Sequence, residues 1–204
     1  IIGEATGSME EFHYLRSSLA WFPDNNRFAF VAKTSFGDRI YIADYQKARI
    51  IDKISIPQIN VMYELDISRD GNSCVISGQK GMQTDLYQYN FDTHALLQLT
   101  NDRYFDSQPR FSPDGKSIAF SSERSLNNEQ YRKGYFSNLC TNVFTITSDK
   151  TELTQITFDD FNSYYPVWDS TGTKIAFITE KDSVPNIEII DLVNSQRAEV
   201  TQTL

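Results

Sequence analysis

The sequence is poor in the residue patterns that enzyme sites require. Of its 204 residues only two are cysteine, Cys74 and Cys140, and no CxxC pair occurs. A zinc ribbon and a thioredoxin-type site are therefore excluded. Two histidines, His13 and His94, are too few for a catalytic zinc held mainly by histidine, and HExxH is absent. GxSxG, the P-loop and GxGxxG are missing as well. No apolar run approaches the ~20 residues of a membrane helix, so direct membrane insertion is not expected. No continuous 3.6-residue periodicity of useful length appears, which argues against a helical fold. Positive charge is also short. Lys and Arg total 19 against 27 Asp and Glu, a net charge of −8. Such a surface repels a phosphate backbone, which argues against nucleic acid and anionic lipid as main partners.

What is present is enough for a core. Hydrophobic residues make up 40% and aromatics 13%, so a disordered chain is not expected. The length allows one domain or two small ones. The start, Ile1-Ile2-Gly3-Glu4, has neither a basic region nor a long apolar stretch and no initiator Met, and reads as a mature or excised segment.

Internal repetition organises the rest. Phe111-Ser112-Pro113-Asp114-Gly115-Lys116-Ser117-Ile118-Ala119-Phe120 aligns with the segments starting at Trp21 and Trp168, and more weakly with the one starting at Ile67. The turn position falls at Asn25, Gly71, Gly115 and Gly172, spaced by 46, 44 and 57 residues. Pro fixes φ early in such a turn, and Gly or Asn accepts the left-handed conformation that follows. Short alternating apolar runs flank each turn, so each joins two antiparallel strands. A third β-rich run follows each hairpin, as in Asp85-Leu86-Tyr87-Gln88-Tyr89. A fourth follows where the sequence reads Leu96-Leu97-Gln98-Leu99-Thr100 or Leu153-Thr154-Gln155-Ile156-Thr157. Four short strands in about 45 residues are the mark of a β-propeller blade. The fold class is thus all-β: four four-stranded antiparallel blades, about 13–57, 58–102, 103–159 and 160–204. Residues 1–12 read as the end of a preceding blade, and the whole as part of a larger propeller.

First strands are expected near Ser17–Phe22, Met62–Ser68, Ser107–Ser112 and Tyr164–Asp169. Trp21, Phe111 and Trp168 share one repeat position and are expected in the inter-blade core, as are Phe30, Phe120 and Phe177. Asp102 and Asp159 recur after the fourth strand and read as caps on the connecting loop. Cys74 reads as a small buried hydrophobe. Blade three carries 13 additional residues between its second and third strands, within Ser125 to Cys140, rich in aromatic and basic residues.

The stretch "FSPDGKSIAFSSER", with "LTNDRYFDSQP" before it and "DLYQYNFDTHALLQLT" further upstream, resembles the TolB-like propeller repeat. Arg69 departs from that pattern, standing where Pro is usual, and Asn25 stands where Gly is usual. A finer similarity, carried by "LRSSLAWFPDNNRFAFVAK" and "ISGQKGMQTDLYQYN", is to the propeller that follows a gluzincin peptidase domain in some bacterial envelope proteins. That resemblance puts no catalytic residue on this chain.

The resemblance implies a non-catalytic module that binds a protein or peptide, or another domain of its parent chain, in the periplasm or cell envelope. The alternative is an accessory propeller of a larger hydrolase, with the catalytic residues elsewhere. No metal or other cofactor is implied. Loops carry recognition in such a scaffold. Candidate binding residues before the first strands are His13, Arg16, Arg103, Tyr104, Asp106, Asp160 and Asn162. Tyr131, Arg132 and Tyr135 in the insertion join them, because aromatic residues and Arg are enriched at binding surfaces.

Overall fold

A computed structural model describes residues 18–124 and 140–202. The described residues contain sixteen β-strands in four antiparallel sheets and no helix. The first sheet holds β1 (Leu19–Trp21), β2 (Arg27–Thr34), β3 (Gly37–Asp44) and β4 (Arg49–Ser55). The second holds β5 (Val61–Ile67), β6 (Ser73–Lys80), β7 (Gln83–Asn90) and β8 (Leu96–Gln98). The third holds β9 (Asp106–Phe111), β10 (Ser117–Ser122), β11 (Asn142–Thr147) and β12 (Leu153–Gln155). The fourth holds β13 (Asn162–Trp168), β14 (Lys174–Lys181), β15 (Val184–Asp191) and β16 (Arg197–Glu199). Within each sheet the strands lie in chain order, the meander of a propeller blade.

The hairpin turns form where the left-handed residues sit. Asn25, Gly71, Gly115 and Gly172 have φ of 55°, 74°, 72° and 72°. Each turn is then locked by an acid. Asp24 Oδ1 accepts the Asn26 and Arg27 N–H groups, and Asp114 Oδ1 accepts the Lys116 N–H and the Ser112 hydroxyl. In blade four Asp169 replaces the serine, and its Oδ1 takes the Thr173 and Lys174 N–H groups directly.

The chain divides into two compact units, Ile1–Asp102 and Arg103–Leu204, each containing two blades. In the first unit, blade one supplies Ala20, Ala29, Val31, Ile40 and Ile42 to a core completed by Leu65, Ile67, Cys74, Ile76 and Tyr87 of blade two. Ser18 laces the two inner strands: its Oγ accepts the Leu65 N–H at 2.7 Å and donates to the Leu65 carbonyl at 2.9 Å. In the second unit Ala119 and Val143 of blade three pack on Ile175 and Phe177 of blade four.

The expectation of an inter-blade aromatic core holds for Phe177, which packs on Ala119 and Val143 of blade three; Phe30 and Phe120 are buried too, Phe30 among Ala32, Tyr41 and Ala43 of its own blade and Phe120 against Phe144, and so is Cys74. Trp21 departs from it. At 55% exposure it lies on the face of blade one turned away from blade two, against Phe28 and Tyr45. The same repeat position is buried in blade two as Ile67 and half-buried in blade four as Trp168. Both cysteines are free thiols. The additional residues of blade three fall largely within 125–139, outside the described residues.

Candidate functional site

Three of the four blades end on a threonine clip. After β8 the Thr100 hydroxyl accepts the Leu86 N–H at 2.9 Å and donates to Asp85 Oδ1 at 3.4 Å. After β12 the Thr157 hydroxyl accepts the Val143 N–H at 2.9 Å and donates to Asn142 Oδ1 at 2.8 Å. After β16 Thr201 does the same with the Ile187 N–H and Asn186 Oδ1, at 2.8 and 3.1 Å. Asp102 and Asp159, read from the sequence as caps, also donate their backbone N–H groups to the Asp85 and Asn142 side chains. The capping acceptor sits on the third strand, 17 residues earlier. Burial pushes the Asp85 carboxyl above its ordinary range. Blade one has no such clip. Arg39 stands where Asp85 does, and the neighbouring Asp38 accepts the Met62 N–H at 2.7 Å instead.

These clips set the loops that lead into the inner strands of the second unit. The loop before β9 carries Arg103 and Tyr104, and Asp106 opens that strand. Arg103 is exposed and lies over the Tyr104 ring, 5.4 Å from its centroid. Asp106 is withdrawn from solvent entirely. Its Oδ2 accepts Arg124 Nη2 at 2.5 Å, and that guanidinium lies over the Phe120 and Phe144 rings at 5.3 and 5.7 Å. Asp106 is thus a buried structural partner, not the surface contact expected of it, because the β9 backbone turns its side chain inward toward β10.

Asp160 lies in the loop before β13, and Asn162 opens that strand. Asp160 is exposed, and its carbonyl accepts the Cys140 thiol at 2.9 Å. Burial, with Asp160 and Asp159 nearby, raises the Cys140 thiol above its usual range. Asn162 is committed within the fold. Its Oδ1 accepts the Thr141 N–H and its Nδ2 donates to Glu180 Oε2, both at 3.1 Å. The amide therefore ties β13 to β14 and to Thr141, just before β11. Asp159 is likewise tied, accepting the Ser163 hydroxyl at 2.6 Å and Arg197 Nη1 at 2.8 Å.

Three of the expected residues remain as a surface: Arg103 and Asp160, exposed, and Tyr104, half-buried. His13, Arg16, Tyr131, Arg132 and Tyr135 lie outside the described residues. Two aromatics missed by the sequence reading belong with the surface group. Phe158 is exposed beside Asp159, and Tyr165 is exposed on β13 at a bulge where φ is 56°. The Tyr165 N–H donates to Gln108 Oε1 at 3.0 Å, and Trp168 Nε1 donates to the Arg110 carbonyl at 3.1 Å, so β13 is held beside β9. Bulges re-aim side chains at working edges of sheets. Phe158 had a signal in the sequence: the aligned position at the preceding junction is the polar Asn101.

With this geometry in place, comparison with known proteins is decisive for the family. The sequence model described as the TolB beta propeller domain matches residues 3–204. The chain belongs to the TolB β-propeller family. It is 30% identical over 157 residues to the Tol-Pal system protein TolB of Francisella tularensis subsp. holarctica, covering 66% of this chain and 36% of that one. This TolB-like chain thus spans about a third of the length of that curated relative. Among solved structures, TolB from Acinetobacter baumannii superposes with a TM-score of 0.71 at 22% identity, over 91% of this chain and 43% of that one. Puromycin hydrolase superposes with a TM-score of 0.64 at 12% identity, over 90% of this chain and 28% of that one. At these identities the two structures show the shared fold alone.

Proposed function

We infer that the chain is a protein-binding propeller segment of a bacterial envelope protein, working in the periplasm as part of a Tol-Pal-type system. Its role is recognition, and no step of covalent chemistry is assigned to it. The observation that carries this reading is the family match over nearly the whole sequence, with a relative named as a Tol-Pal system protein. The geometry is compatible with it. The blade ends are fixed by the threonine clips and the Asp106–Arg124 pair, and such rigidity lowers the entropic cost of binding. The loops so fixed carry an Arg103–Tyr104 stack and the exposed Phe158, Asp160 and Tyr165. Aromatic and Arg side chains of this kind anchor protein interfaces.

The test is titration calorimetry of the chain against the soluble parts of the other Tol-Pal proteins from the same cell. Saturable binding to one of them supports the reading, and absence of heat with all of them rejects it. The likeness to puromycin hydrolase supports a second reading, an accessory propeller of a larger hydrolase with its catalytic residues outside this chain. Peptidase activity in the polypeptide as its gene encodes it, absent from residues 1–204, would favour that reading.

A further inference from the structure

The first sheet ends on an outer strand unlike those of the other three. β4 runs for seven residues, Arg49–Ser55, whereas β8, β12 and β16 have three each. Among the described residues each of these strands is the last of its sheet and pairs on one side only. The other side is a row of backbone N–H and C=O groups open to a further strand. Proteins protect such edges by keeping them short, as in β8, β12 and β16. β4 lacks that protection.

The edge of β4 is apolar at one point and basic on either side of it. Ile50 and Ile51 are 36% and 42% exposed. A bulge brings them together: Ile50 faces Ala43 and Asp52 faces Ile42, so Ile51 is the additional residue. Arg49 and Lys53 flank this pair, and both are exposed. The ion pairs of the sheet, Arg27 with Asp24 and Lys47 with Asp44, involve neither of them. The Lys53 N–H donates to Asp52 Oδ1 at 2.7 Å, an exposed bond, so a backbone donor of this strand is turned to solvent and held there by a side chain.

These charges indicate which strand fits. Set antiparallel in full register against a second β4, Asp52 would face Asp52, and like charges directly opposite are destabilising. Two chains of net charge −8 also repel. An acidic strand instead sets its carboxylates beside Arg49 and Lys53. At a screening length of about 8 Å in physiological salt, these neighbours outweigh the net charge of the chain. We propose that the edge of β4 is a docking site for an extended acidic peptide segment of a partner protein, which joins the first sheet as a fifth strand. Main-chain hydrogen bonds hold the segment, and alternate side chains select it. Its apolar residues cover Ile50 and Ile51, its carboxylates meet Arg49 and Lys53, and one of its carbonyls replaces Asp52 on the Lys53 N–H.

The probe is a dye-labelled peptide as long as β4, Glu-Val-Glu-Val-Glu-Val-Glu, titrated with the polypeptide as its gene encodes it and followed by fluorescence anisotropy. Two control peptides carry Lys for every Glu, or Pro for the central Val, which removes a ladder donor. Saturable binding of the first peptide is expected, weaker by about tenfold or more for each control. Hydrogen exchange read by mass spectrometry should slow in residues 49–55 when the first peptide is bound. Arg49→Glu with Lys53→Glu should weaken binding by about tenfold or more. Should that variant fail to fold, the three peptides and the exchange data on the parent chain decide. Absence of saturable binding overturns the proposal, as does equal binding of either control. Binding without slower exchange in residues 49–55 overturns it too, because the peptide then sits elsewhere. Slow exchange there before peptide is added, with a dimer in sedimentation equilibrium, also overturns it, because the edge is then taken by a second copy.

Discussion

Arg124 and Asp106 form an ion pair of 2.5 Å in which the two side chains are 3% and 0% exposed. Desolvation makes such a pair expensive to half-remove. Arg124 has further support from Ser122 Oγ at 3.0 Å and from the faces of Phe120 and Phe144. Arg124→Met alone strands the Asp106 carboxylate and is expected to cost about 3–5 kcal/mol in denaturant titration. Arg124→Met with Asp106→Leu should recover much of that loss. A double variant no better than the single one would show that the pair stabilises through its hydrogen bonds rather than through mutual neutralisation.

The threonine clips give a second expectation. Thr157→Val keeps the shape and removes the hydroxyl that accepts the Val143 N–H and donates to Asn142. Leaving buried groups unsatisfied costs about 1–3 kcal/mol. Serine at the same position should retain most of the stability. A valine variant as stable as the parent would mean that the clip contributes nothing.

Phe120→Ala and Phe177→Ala should each lose about 3–5 kcal/mol, the cost of a cavity in a packed core. Both rings are buried, Phe177 among Ala119, Val143 and Ile175, and Phe120 against Phe144. Trp21→Ala should lose much less in the 204-residue chain, given the exposure of its ring. Denaturant titration of the three variants side by side checks the order.

The turn acids predict the response to low pH. Bonds from the Arg27 backbone and side chain hold Asp24 at about 2, and bonds from Thr171 and the Lys174 backbone hold Asp169 at about 2. Asp70 and Asp114 are lowered by the hydroxyls of Ser68 and Ser112 and by backbone N–H groups. In the unfolded chain an Asp titrates near about 3.9, so the folded state binds fewer protons. The stabilisation is complete above that value and is lost as pH falls from about 4 to about 2. Thermal melts across that window should show the parent losing more than a variant with Asp24→Asn and Asp169→Asn. Equal losses would contradict the assignment.

The parts of this fold that can be read from the sequence are those with a local cause. Asn25, Gly71, Gly115 and Gly172 punctuate the chain because Gly and Asn take φ > 0 cheaply, and four hairpins follow. First strands lie within two residues of where the repeat puts them. What escapes the sequence depends on partners distant along the chain. Asp106 and Asn162 look like loop residues, and only the return of Arg124 and Glu180 beside them makes them internal ties. Trp21 shares its repeat position with Trp168, but which face is covered is not encoded in a strand's own alternation. The threonine clips escape the sequence because their acceptors, Asp85 and Asn142, sit on another strand.

The most direct test of the account is calorimetric titration of the chain with soluble Tol-Pal proteins, repeated with Arg103→Glu and Tyr104→Ala. Neither residue belongs to the described core, so the melting temperature should stay unchanged. The account predicts saturable binding to one Tol-Pal protein, weakened about tenfold or more, or about 1.4 kcal/mol, by either substitution. Absence of binding to every Tol-Pal protein, or binding untouched by both substitutions, would contradict it.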